Sequence, residues 1–71
     1  MEGITNIQHF QLFCLENYKS TSNKSGAEAL NEFKRTHAFE YLASGYDVLH
    51  TQGKEYLMDD LKEYITRRMK T

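Results

Sequence analysis

His50 and Thr51 are the adjacent pair in this chain whose types could do chemistry, as a base beside a hydroxyl. A neutral imidazole titrates near neutrality and can take a proton from a nucleophile within hydrogen-bond reach. Adjacent residues on a strand point to opposite faces, however, so the two would not naturally form a dyad. A histidine that bonds a backbone group and fixes a turn is the better reading. Cys14 and His37 are a second pair of the kind that nucleophilic catalysis uses. Cys14 falls in the middle of an apolar helical arc, where cysteines are buried and inert, and His37 suits a helix end.

Asp59, Asp60 and Glu63 form an acidic run that could hold Mg²⁺ or Ca²⁺. No loop of alternating oxygens accompanies it, so a helix start or a solvated face is expected. Arg67, Arg68 and Lys70 would complement the negative end of a final helix. Three cations give little affinity for a phosphate backbone at physiological salt. No Cys/His cluster suggests zinc. No metal, no cofactor and no catalytic residue is expected, and the chain reads as a non-enzyme.

The elements that would position these residues follow from hydrophobic spacing. At about 100° per residue, Ile4, Ile7, Phe10, Cys14, Leu15 and Tyr18 share one arc, which predicts an amphipathic helix over about Thr5 to Lys19. Gln11 lies inside that arc and needs a hydrogen-bond partner if buried. Leu12 and Phe13 lie off its centre and widen the apolar surface beyond what one neighbour covers. Ser20 to Gly26 is a loop by composition. Ser25 followed three residues later by Glu28 is a capping box, so a second helix starts near Gly26. Leu30 and Phe33 face the core, and His37 would continue that face. A short third helix is expected from about Thr36 to Ser44, continuous with the second or kinked from it. Gly45 suits a helix end with positive φ.

The last part supports two readings. In one, a helix starts near Gly53 and places Leu57, Leu61, Tyr64, Ile65 and Met69 on one face, with Met58 at its edge and Tyr56 well off it. In the other, Val48 to His50 and Glu55 to Met58 form a hairpin around a turn from Thr51 to Lys54, with Gly53 at positive φ. The final helix would then start at Asp59 or Asp60, with Asp60 and Glu63 as a second capping box. The expected fold is thus mainly α. It has three or four helices, and a short extended or hairpin segment lies near residues 46–58.

Length and charge bound the function. At 71 residues the chain is one small domain, 1–71. A core of this size leaves about 3–5 kcal/mol of net stability. A single cysteine excludes an internal disulfide and fits a reducing compartment. With 39% hydrophobic residues the chain is not disordered on composition. A net charge of −1 with scattered cations argues against nucleic acid. No apolar run is long enough to span a bilayer, and MEGITNIQHF has no signal-peptide character. A soluble cytoplasmic protein is expected, with no membrane partner.

The run LHTQGKEYLMDDLKEYI, preceded by Tyr41-Leu42 and by Gly45 to Asp47, resembles a small bacterial family of uncharacterised single-domain proteins, a domain of unknown function. Glu16, Tyr18, Ser25-Gly26 and Phe33 match it too, and above all Leu49-His50-Thr51-Gln52. The resemblance covers nearly the whole chain and carries no catalytic signature. It implies a short cytoplasmic protein, often encoded beside ADP-ribosyltransferase-like or other toxin-like proteins, and so an antitoxin or accessory partner.

The aromatic residues point the same way. Phe13, Tyr46, Tyr56 and Tyr64 are more than so small a core can bury, and tyrosine is enriched at interfaces. Phe13, Tyr46, His50, Gln52 and Tyr56 are the expected partner-binding residues. The partner would be another protein or a second copy of the chain. The alternative is a small helix-turn-helix or winged-helix-like DNA-binding regulator. Its recognition helix, Ala38 to Ser44, would offer Glu40 but no Arg, Lys, Asn or Gln to the bases.

Overall fold

Two capping boxes set the first two helix starts. The Thr5 hydroxyl accepts from the Gln8 N–H at 3.1 Å, and the Gln8 side chain accepts from the Thr5 N–H at 2.9 Å. Ser25 and Glu28 repeat the exchange. Each box satisfies N–H groups that a helix start otherwise leaves open. A computed structural model describes residues 5–70. In chain order they form α1 (Asn6–Thr21), α2 (Gly26–Thr36), α3 (Ala38–Ser44), α4 (Tyr46–Leu49) and α5 (Lys54–Met69). The fold is mainly α, as expected, but with five helices.

No strand occurs among the described residues, so the extended or hairpin segment expected near 46–58 is corrected. The Gly45 carbonyl accepts from the N–H groups of Val48 and Leu49, and the Tyr46 carbonyl from that of His50. These local bonds make α4 and leave the backbone no ladder to join. Leu57 and Met58 are both buried while Tyr56 is 77% exposed. A strand would send Leu57 and Met58 to opposite faces; a helix accommodates both beside Leu61 and Ile65. Asp59 and Asp60 are therefore exposed mid-helix residues, not a helix start. The start is Gly53, at φ −63° with no side-chain cap, not the positive φ of a hairpin turn.

Two further positions differ from expectation. Gly45 has φ −97°, so it is not a left-handed terminator. Its lack of a side chain matters for another reason: a Cβ there would lie 2.9 Å from Leu49 Cδ1. His37 does not continue the core face of α2. It is exposed and takes φ 60°, ψ 36° between α2 and α3. The kink at His37 turns α3 against α1, while Thr36 and Ala29 are buried with Phe33 and Leu30 is only half-buried. A left-handed backbone disfavours β-branched residues most and glycine least. His37→Val is expected to lower stability by about 1–2 kcal/mol, and His37→Gly to match or exceed the wild type, in urea unfolding.

The core gathers Phe10, Cys14 and Tyr18 of α1, Phe33 of α2, Leu42 of α3, Leu49 of α4 and the Leu57-Met58-Leu61-Ile65 face of α5. Ile4, expected on the arc of α1, lies outside the described residues. Phe33 is the centre of an aromatic row, with ring centroids 5.5 Å from Tyr18 and 5.1 Å from Phe39. Gln11 finds the partner its position requires: its Nε2 donates to the Phe39 carbonyl at 2.8 Å and ties α1 to α3. Tyr64 ties α5 to the α2–α3 junction by donating to the Thr36 carbonyl at 2.7 Å.

Candidate functional site

His50 and Thr51 each turn inward on their own backbone. The Nδ1–H of His50 donates to the Tyr46 carbonyl, and the Thr51 hydroxyl donates to the Val48 carbonyl at 2.7 Å. The His50 ring stacks on Tyr46, with centroids 4.3 Å apart and planes 9° apart. Tyr46 in turn meets Phe10 edge-on at 5.4 Å, which pins α4 to α1. This geometry fixes a turn, and among the described residues it sets no nucleophile in hydrogen-bond contact with the imidazole.

Cys14 and His37 are kept apart. Cys14 is fully buried and its thiol is pushed up to about 12 by that burial, so almost none is thiolate at neutral pH. His37 faces outward, its Nδ1 3.6 Å from Glu40. Among the described residues no group of three His, Cys, Asp or Glu side chains is placed to hold a metal ion. Arg67 pairs with Glu63, one helical turn back, and Arg68 lies over the Tyr64 ring, 4.9 Å from its centroid. Tyr64 also stacks on Tyr41 at 4.1 Å.

One partly buried polar network does carry charge. Tyr18, 5% exposed, donates its hydroxyl to Glu32, and Lys24 pairs with the second carboxylate oxygen at 2.9 Å. Burial pushes the Glu32 carboxyl upward, but the Tyr18 hydroxyl and the Lys24 ammonium outweigh it and hold it below the usual carboxylate range. A lowered carboxylate contributes stability that is complete above its unfolded pKa and lost as pH falls through the folded one. Glu32→Gln is expected to cost about 1–2 kcal/mol at pH 7. The two proteins should converge as the pH falls through the acid range in which that lowered carboxyl takes up its proton, which thermal melts across that range will show.

Of the residues expected to meet a partner, the structure brings Tyr46 and His50 together, against each other. Phe13 (46% exposed) and Tyr56 point outward, and neither makes a ring contact among the described residues. Gln52 is half-buried, and its Oε1 is enclosed without a hydrogen-bond donor among the described residues. The structure adds residues that the expected set lacked. Leu12 is 47% exposed beside Phe13. It also lines a hollow of about 210 Å³ with Gln8, Gln11 and Phe39, between α1 and α3. The position of Leu12 off the centre of the α1 arc was the available signal. Phe39 had none, because its direction depends on the kink at His37.

A family model described as protein of unknown function (DUF3791) matches residues 9–68. The chain belongs to the DUF3791 family. No curated protein and no solved structure matches it. The DUF3791 match runs from the first half of α1 to the last turn of α5, and so takes in the whole aromatic core, the Tyr46–His50 stack and, of the α1–α3 hollow, all but Gln8. Among the described residues of this DUF3791 chain, no helix is long and apolar enough to cross a membrane.

Proposed function

We propose that this chain is a bacterial protein-binding domain with no chemistry of its own, and that its partner covers the outer side of α1. One observation carries the reading. Leu12 and Phe13 are adjacent, each is close to half exposed, and Leu12 continues into the hollow floored by Phe39. Scattered exposed apolar residues are ordinary. Two large ones side by side at the edge of an apolar hollow form the kind of anchor point that dominates binding energy. Tyr56 and Val48 add exposed apolar surface on α5 and α4.

The inward bonding of His50 and Thr51 and the burial of Cys14 support the non-enzymatic part. The toxin-like neighbours that the sequence resemblance implies supply the class of partner, and neutralisation by surface burial supplies the mechanism. The test is co-expression with the product of the adjoining open reading frame, one chain tagged, followed by light scattering on a sizing column. A complex of fixed stoichiometry is expected. Separate elution, with steeply salt-dependent retention of this chain on heparin, would instead favour a DNA-binding regulator.

A further inference from the structure

A second groove, of about 400 Å³, runs between the end of α1 and the C-terminal half of α5. Its α5 wall is a single stripe at helical spacing: Lys62, Ile65, Thr66 and Met69, continued by Lys70. The opposite wall is set by how α1 ends. Asn23 takes φ 55°. Its N–H donates to the Ser20 carbonyl, and the Lys24 N–H donates to the Lys19 carbonyl. These are the paired bonds of a left-handed helix end. The turn sends Lys24 back over Glu32, beside Tyr18.

The charge balance of this groove is uneven. Glu32 is its one carboxylate among the described residues, and both of its oxygens are engaged, by Tyr18 and by Lys24. Lys24 matches its charge. Lys62 and Lys70 form no ion pair among the described residues; the ammonium of Lys62 reaches only the Thr21 carbonyl, at 3.5 Å. The described lining thus carries three lysines against one glutamate, around a floor of buried Ile65, half-buried Met69 and the ring of Tyr18, while the far side of Lys62 faces a neighbouring hollow with Glu55 and Asp59. Charge selects an anionic occupant, and the floor selects one with an apolar side chain, to which a methionine adapts readily.

We propose that this groove binds an acidic peptide segment of a partner protein, with carboxylates on Lys62 and Lys70 and an apolar side chain on Ile65 and Met69. The proposal rests on the protein-binding reading for the class of partner. Its residues lie apart from Leu12, Phe13 and Phe39, so the two can fail separately.

The test is an NMR titration of the ¹⁵N-labelled chain with a blocked six-residue peptide, two central leucines flanked on each side by two glutamates. Saturable shifts are expected at Lys62, Thr66, Met69 and Lys70, weakening as salt rises. Lys62→Glu combined with Lys70→Glu should weaken binding about tenfold or more, a difference of about 1.4 kcal/mol, with an unchanged circular dichroism spectrum. Equal shifts with a lysine-flanked counterpart would overturn the proposal. So would shifts gathered at Leu12 and Phe39, or none at all. Co-sedimentation with phosphatidylglycerol vesicles in place of peptide binding would overturn it in favour of a membrane surface. A complex with the co-expressed partner that survives the double lysine variant would leave the α1 reading intact while removing this one.

Discussion

Phe33→Ala is expected to leave the chain unfolded at 25 °C. Phe33 is fully buried and packs between Tyr18 and Phe39, so it links α1, α2 and α3 at one point. Truncating a buried phenylalanine costs about 3–5 kcal/mol, the transfer energy plus the cavity left behind. A core of this size supplies about the same net stability, with no disulfide to add to it. Phe33→Leu keeps most of the volume and should stay folded with a loss of about 1.5 kcal/mol. Circular dichroism melts of the two variants check both outcomes. A cooperative Phe33→Ala transition near that of the wild type would show that the aromatic row is not the centre of the fold.

Leu12→Asp combined with Phe13→Asp is expected to abolish partner binding while leaving the fold almost untouched. Each side chain is close to half exposed, and neither belongs to the buried core. The change in stability should therefore stay within about 1 kcal/mol. At an interface each should act as an anchor whose loss costs about 2 kcal/mol or more, and the carboxylates add desolvation on top. Together they should weaken the complex at least about a hundredfold, readable by isothermal titration. Tyr56→Ala should weaken it less, because Tyr56 stands on another helix, away from the α1–α3 hollow. A complex of unchanged affinity would place the interface elsewhere.

The parts of the fold that could be read in advance are those where one local interaction decides. The Ser25–Glu28 box located the start of α2 because donor and acceptor sit three residues apart on the same chain. The arc of α1 found Phe10, Cys14 and Tyr18, and the off-arc positions of Leu12 and Phe13 foretold their exposure. The ambiguous parts lacked such a local signal. Gly53 starts α5 with no side-chain cap, so nothing in the residues before Lys54 separates a helix start from a hairpin turn. His37 stands at the helix end that its type suited, and histidine is among the side chains that tolerate its left-handed backbone, but the spacing from Phe33 also suggested a core position that Thr36 and Ala38 fill instead. Gly45 was legible as a special glycine but for the wrong reason. The close approach of Leu49 requires it, and that contact exists only once α4 has folded back.

The site follows the same division. Exposure of Phe13 and Tyr56 was readable from helical phase, whereas the stacking of His50 on Tyr46 depends on α4 being a helix, so that residues four apart meet. Phe39 reached the α1–α3 hollow only through the turn at His37. Lys62, Thr66 and Met69 form a stripe visible in sequence spacing, but the excess of lysine in the lining of their groove emerges only when Lys24 closes on Glu32.

Hydroxyl-radical footprinting of the chain alone and with its co-expressed partner addresses the outer side of α1 most directly. Oxidation of Leu12, Phe13 and Phe39 should fall several-fold in the complex, while Tyr56 changes less. Undiminished oxidation of Phe13 in an intact complex would contradict the assignment of α1 as the binding face.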